Sequence, residues 1–251
     1  MNQTINKYSK QIIIVNSIFI LFWLTISIFP FIWTLWGSFK VKADFFSRAD
    51  WTYALSGFNT LIETGATTTF KAYLESWTEG EFGRATMNTM IVTVSVVSIS
   101  LFLGTLGAYA LSRSTFKYTF YILIIALIFR AMPHITLVSG YLFPFFQLNI
   151  WGILPTTIIV LVAINQPFTL WLLYSFFKTV PKELDESALI DGCSYFQAFR
   201  YIIMPVMWPG VVTAGLFSMM LAYNDFTVTA LLLNQHNYTI CLLYTSDAAD
   251  D

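Results

Sequence analysis

The chain has 251 residues, of which 57% are hydrophobic and only 11% are charged, and its formal net charge is −1. Soluble domains carry about 25% charged residues, so this composition excludes an ordinary soluble domain and indicates a membrane protein. The small net charge offers no basic surface to nucleic acid, and the two cysteines fit neither a disulfide framework nor a zinc site, so we expect no nucleic-acid partner, metal or cofactor.

A first membrane span is predicted at residues 11–39, which follow a polar segment at residues 1–10 and contain no charge. About 20 apolar residues are enough to cross a bilayer. A signal peptide is the alternative, but the run is longer than a signal core and lacks a small-residue cleavage site. Residues 40–84 are mixed in polarity, and we expect them to form an extracytoplasmic segment.

The next two spans are predicted at residues 85–112 and at about residues 118–141. Arg130 lies about 18 Å along the second of these helices, deep in the membrane. A charge at this depth usually faces a cavity or another chain. The alternative is that the helix begins later and that Arg130 reaches the membrane surface. Pro133 is expected to kink the helix just beyond it.

A fourth span is predicted at residues 153–177, with Asn165, Gln166 and Pro167 near its middle. Proline removes a backbone hydrogen bond, and amides buried in lipid need partners. Such a group either lines a polar pathway or forms bonds between helices. The candidate translocation path consists of Arg130, Asn165, Gln166 and Pro167.

The longest polar stretch of the C-terminal half, residues 178–200, precedes a fifth span at residues 201–224. Its acidic first turn, including Glu183, favours a helix, because carboxylates stabilise the positive end of the helix dipole. Gly192 can end that helix in a left-handed conformation, and Ser194 with Gln197 matches a capping box for a second helix. The stretch therefore predicts two short helices joined at a corner.

This stretch resembles the EAA loop of ABC importer permeases, which reads Glu-Ala-Ala, three residues, Gly, nine residues, Ile-x-Leu-Pro. Here it reads Glu186-Ser187-Ala188, then Gly192, Ile202 and Pro205, with Met204 in place of the leucine. In that family the loop is a cytoplasmic coupling helix that docks on the ATPase subunit. The resemblance implies that the ATPase-coupling residues are Glu186, Ser187, Ala188, Asp191, Gly192 and Pro205.

Shorter segments are similar to the sugar-importer branch of this family, specifically to the maltose-type permease. They are Ser38-Phe39-Lys40, Asn88-Thr89, Arg130-Ala-Met-Pro133, Gln166-Pro167-Phe168, Val180-Pro181-Lys-Glu-Leu, Ile190-Asp191-Gly192 and Tyr223-Asn224-Asp225-Phe226. The resemblance implies an all-α membrane bundle with five of an expected six spans. It also implies that the chain lies in the lipid bilayer and has three kinds of protein partner. These are ABC ATPase subunits, a second permease subunit in a heterodimer, and a solute-binding protein on the extracytoplasmic side. The implied substrate is a sugar.

The distribution of lysine and arginine predicts a cytoplasmic N-terminus. In this orientation the short outer loop at residues 142–154 holds no basic residue, and the long outer segment is a poor guide because long loops obey the rule weakly. The interior segments hold Lys7, Lys10, Arg113, Lys117, Lys178, Lys182 and Arg200. The coupling loop is therefore expected in the cytoplasm.

Residues 241–251 resemble a translated sequencing adapter, and we expect the permease core to occupy residues 85–240 and the native sequence to stop near residue 240. A natural acidic tail is the alternative.

The function predicted from these features is sugar import by alternating access, driven by ATP hydrolysis in a separate chain. The sequence has no Gly-x-x-x-x-Gly-Lys-Ser/Thr phosphate loop, so it is not expected to be an enzyme. An ABC permease for a polyamine, an amino acid or phosphate is the alternative, because the EAA loop does not separate these solutes. An ion-coupled transporter or a membrane-embedded enzyme is disfavoured, because no acid lies inside a predicted span.

Overall fold

The computed structural model describes residues 2–38, 73–74, 76–78 and 81–247. The described residues are helical apart from short connections and one isolated bridge between Gly152 and Leu233. The predicted all-α fold is therefore confirmed. The chain divides into two compact units, Met1–Gly80 and Glu81–Asp251.

The first unit contains one long helix, α1, at Asn2–Ser38. Its central part, Ile12–Leu35, is apolar enough to cross a membrane, and its described side chains are exposed to the surroundings. This matches the predicted first span. Most of the predicted extracytoplasmic segment, residues 40–84, lies outside the described residues.

Among its described residues, the second unit is a bundle in which three helices are long. These are α2 (Phe82–Arg113), α5 (Leu154–Thr179) and α8 (Met204–Tyr223), and α8 completes a helical run that begins at Tyr195. The shorter helices are α3 (Thr119–Ala131), α4 (His134–Gln147), α6 (Glu183–Ile190), α7 (Tyr195–Ala198), α9 (Thr227–Leu232) and α10 (Ile240–Asp247).

Helices α2, α5 and α8 pack together through two apolar clusters. Small residues let them approach closely, as they do in membrane bundles. A Cβ atom on Gly104 would lie 3.1 Å from Thr169 Cγ2, and one on Gly210 would lie 2.8 Å from Phe176 Cγ. The core of the second unit is therefore the interface among these three helices.

The predicted third span is divided into α3 and α4, which meet at 86°. Met132 has an extended backbone (φ −68°, ψ 146°), as expected for a residue before proline. Pro133 therefore produces a full break rather than the predicted kink, and α4 continues to Gln147. Across the described residues, four helices can cross a membrane, or five if this bent pair is one span.

The fifth span begins earlier than predicted, because α7 continues into α8 through a π-helical turn at Phe199–Ile203. The backbone N–H of Met204 donates to Phe199 O, five residues back. Pro205 follows at the start of α8 and cannot donate a backbone hydrogen bond. The wider turn therefore connects the polar loop to the span without ending the helix.

Candidate functional site

The coupling loop forms the two predicted helices, α6 and α7, with a corner at Gly192. Gly192 has φ +88°, and Cys193 N donates to Ala188 O at 3.0 Å, which is a Schellman ending for α6. Ser194 Oγ accepts from Gln197 N at 3.3 Å, and Ser194 N donates to Gln197 Oε1 at 2.8 Å. Local chemistry thus determines both the end of α6 and the start of α7.

The residues of the EAA pattern divide between an inner and an outer face of the loop. Glu186, Ser187, Asp191 and Gly192 are exposed, whereas Ala188 is 1% exposed and packs inside the chain. Ala188 therefore packs against the rest of the chain, whereas Gly192 lies open at the corner. Pro205 is exposed at the base of α8.

Three large apolar side chains lie exposed on the same loop. Ile190 is 85% exposed, Tyr195 is 71% exposed and Phe196 is 63% exposed. We call these three residues, together with Glu186 and Asp191, the outer face of the coupling loop. The three apolar members were not predicted from the sequence, although large apolar residues within a polar loop are the signal that could have identified them.

A buried charged cluster lies beneath the outer face. Asp185 Oδ1 accepts from the Tyr109 hydroxyl at 2.6 Å, and Asp185 Oδ2 lies 2.8 Å from Arg113 Nε. Asp185 is only 9% exposed. The acidic first turn predicted for α6 contains Asp185, but the sequence could not identify the partners of Asp185, which lie more than 70 residues earlier in the chain.

The candidate path residues are brought together only in part. Arg130 Nη1 donates to Ile164 O at 3.1 Å and to Asn165 Oδ1 at 3.4 Å. The Arg130 guanidinium also lies 5.6 Å from the centre of the Phe168 ring. Arg130 therefore points across to α5 and pairs there with neutral groups.

A cavity of about 200 Å³ lies beside Arg130 and Pro167, between the α3–α4 break and α5. Its lining also includes the aromatic residues Phe129 and Tyr141. Asn165 is buried and outside this lining, and its Nδ2 has no hydrogen-bond partner among the described residues. Gln166 faces α2 instead, where its Nε2 lies 3.4 Å from the Cβ position of Gly104.

Asp225 connects α9 to the α3–α4 break. Its Oδ1 accepts from Val228 N at 2.8 Å, and its Oδ2 lies 3.8 Å from His134 Nδ1. Burial raises the pKa of the Asp225 carboxyl, and the Val228 N–H and the His134 side chain oppose that shift. The carboxyl thus caps α9 and also contacts the first residue of α4.

The family model described as "binding-protein-dependent transport system inner membrane component" matches residues 97–245. Two relatives match most of the chain. The diacetylchitobiose uptake system permease protein NgcG of Streptomyces coelicolor is 30% identical, over 85% of this chain and 67% of its own length. The trehalose/maltose transport system permease protein MalG of Thermococcus litoralis is 33% identical, over 84% of this chain and 72% of its own length.

The fold is also similar to a chain in the crystal structure of a bacterial ABC transporter involved in the import of the acidic polysaccharide alginate. The TM-score is 0.70 at 19% identity, and the match covers 93% of this chain and 78% of that chain. With several helices able to cross a membrane, the chain is a multi-pass membrane protein. The extent of the family match and the identity to these permeases together establish that the chain belongs to the binding-protein-dependent transport system inner membrane component family.

Proposed function

We propose that the chain is the permease subunit of an ATP-driven importer and carries a sugar or oligosaccharide across the cell membrane by alternating access. The observation that carries this proposal is the coupling loop, whose inner face is packed against the spans and whose outer face is free. The relatives NgcG and MalG are permeases of uptake systems for diacetylchitobiose and for trehalose or maltose, and this supports a carbohydrate substrate.

The outer face of the coupling loop is the proposed docking site for the ATPase subunit. Exposed aromatic and aliphatic side chains beside carboxylates combine apolar anchors with charges, as protein interfaces do. Ser187, Gly192, Pro205 and the buried Ala188 complete the proposed set of coupling residues. Hydrolysis of ATP takes place in the partner, and transport requires that the two permease states differ in their contacts with it.

The cavity beside Arg130 and Pro167 is the proposed segment of the translocation path within this chain. Arg130 provides hydrogen-bond donors, and Tyr141 and Phe129 provide ring faces on which a sugar can pack. Asn165 acts by positioning Arg130. Gln166 is assigned to the contact between α5 and α2 instead of the path.

The proposed assembly pairs this chain with a second, different permease subunit and with a solute-binding protein outside the cell. The N-terminus and the coupling loop lie in the cytoplasm in this arrangement. The basic residues near the ends of α2, α5 and α7 support that orientation, because short cytoplasmic loops are rich in lysine and arginine.

The first test is Gly192→Asp in the chain coexpressed with an ATPase subunit and a partner permease. Because Gly192 has a left-handed backbone, the aspartate both strains the corner and adds a charge to the outer face. We expect loss of uptake of maltose, trehalose and diacetylchitobiose, with the chain still present in the membrane. Uptake would be measured with radiolabelled sugars and with an excess of spermidine as competitor.

The matched control is Asn149→Asp, which adds the same charge at another left-handed position of the described residues, in the loop between α4 and α5. This variant should transport normally. Full uptake by Gly192→Asp would contradict the coupling role, and competition by spermidine would favour a different solute class.

A further inference from the structure

We propose that Asp185 is a positioning residue that fixes the coupling helix α6 to the ends of α2 and α5, so that movement of the loop is passed to the spans. This inference rests on the proposed function. Asp185 is buried beneath the outer face of the coupling loop, and the proposed role is to transmit movement and not to contact the ATPase.

Both oxygens of the Asp185 carboxylate are engaged by α2. Oδ1 accepts the 2.6 Å hydrogen bond from Tyr109, and Oδ2 forms the 2.8 Å ion pair with Arg113. The Asp185 and Arg113 side chains are only 12% and 16% exposed. Water therefore screens this pair little, and removal of either partner leaves the other charge buried without compensation.

Arg113 extends the connection to α5. Its Nη1 donates to Phe177 O at 3.3 Å and to Val180 O at 3.1 Å, at the C-terminal end of that helix. Carbonyls in the last turn of a helix lack donors from their own helix, and a cation there is stabilised by the helix dipole. One guanidinium thus joins the ends of α2 and α5 to the start of α6.

Aromatic packing closes the cluster on its other side. The Tyr109 ring centre lies 5.7 Å from that of Phe177 and 4.8 Å from that of Phe199, which begins the π-helical turn. The cluster of Tyr109, Arg113 and Asp185 therefore connects α6, which contains Asp185, with the π-helical turn that follows α7. We call these three residues the clamp.

The clamp explains how a short helix can move long ones. Helix α6 has eight residues, and the connection Val180–Lys182 that joins it to α5 is not helical. Without the clamp, bending of this connection would absorb the movement of α6. With it, α6 and the ends of α2 and α5 move as one element, which is the kind of physical link that coupling between sites requires.

The test uses the complete transporter, with this chain carrying Cys193→Ser, Cys241→Ser and a single reporter, Ala163→Cys, in the cavity lining. The rate of maleimide labelling at position 163 is compared with and without MgATP plus vanadate, so no transported solute is needed. In the parent we expect the trapped nucleotide to change this rate about fivefold or more. Asp185→Asn should abolish that change while the ATPase still copurifies.

Tyr109→Phe provides a second variant that removes only the hydroxyl. If Asp185→Asn fails to accumulate, this variant shows whether the clamp is needed for the nucleotide response. It should reduce the nucleotide response and leave copurification intact. Glu81→Gln is the matched control, because it breaks the exposed Glu81–Arg84 pair at the opposite end of α2. This control should respond as the parent does.

A labelling response that remains complete in both clamp variants would overturn the inference. If Asp185 and Tyr109 only stabilised the fold, both variants would also keep the complete response. The ratio of labelling rates is measured only on folded molecules, so a smaller amount of folded protein does not change it. Failure of the ATPase to copurify with the parent is a different outcome, since it would overturn the proposed function and the inference together.

Discussion

Two helical glycines show how much a single residue depends on its neighbours. A Cβ atom on Gly210 of α8 would lie 2.8 Å from Cγ and 3.1 Å from Cβ of Phe176, whereas one on Gly140 of α4 would meet no atom within 4 Å. Both glycines lie in apolar helical sequence, so periodicity does not distinguish them. Only the packing of α8 against α5 makes the replacement of one of them, Gly210, costly.

We expect Gly210→Ala to destabilise the protein by about 1–3 kcal/mol, because the ring of Phe176 must move in a close-packed interface. Gly140→Ala is the matched control and should be neutral or stabilising by up to about 1 kcal/mol, because alanine favours the helix. The measurement is the temperature at which the detergent-purified protein loses its monodisperse peak. Equal midpoints for the two variants would contradict the packing of α8 on α5.

Helix ends in the coupling loop were predicted correctly because they depend on local hydrogen bonds. The glycine corner and the Ser194–Gln197 box each involve residues within five positions of one another. The break between α3 and α4 was predicted only as a kink, since a proline determines where a helix is interrupted and not the angle at which the next helix leaves. That angle depends on what α4 packs against.

We expect Ser194→Ala to weaken the start of α7 by about 1 kcal/mol, since the Gln197 N–H loses its acceptor. Amide exchange of the peptide covering residues 195–198 should become about fivefold faster, which corresponds to that free energy. Ser194→Thr should keep most of the protection. Ser187→Ala is a suitable comparison, because the Ser187 hydroxyl donates to Glu183 O within α6 and caps nothing.

The charge distribution predicts the orientation of the whole molecule in the membrane, and this orientation determines whether the coupling loop can reach an ATPase. Cys193 is half-buried at the corner of the loop, and Leu148 is 66% exposed between α4 and α5. The proposed arrangement puts these two positions on opposite sides of the membrane. Their reactivity therefore reports the topology directly.

In a chain with Cys241→Ser, we expect a membrane-impermeant maleimide to label Cys193 in inside-out vesicles and not in intact cells. In a chain that lacks both cysteines and carries Leu148→Cys, the pattern should be reversed. Labelling of both positions from the same side would mean that α5, which lies between them, does not cross the membrane. Labelling of Cys193 in intact cells would contradict the proposed function.

The amino-acid sequence by itself determined the membrane class, most of the helices and the coupling loop. Apolar run length and local capping are properties of short segments, so they need no knowledge of the rest of the fold. The depth of Arg130 in the membrane stays a prediction. The hypothesis that residues 241–251 derive from an adapter stays a prediction.

Only the tertiary structure decided which side chains act together. Asp185 reads as one of three acids in a helical first turn, yet it alone of the three is buried, because Tyr109 and Arg113 reach it from α2. Likewise, Arg130 donates a hydrogen bond to Asn165 and lines a cavity, whereas Gln166 faces α2. Contacts between residues tens of positions apart depend on how the helices pack, and no pattern within a single helix contains that information.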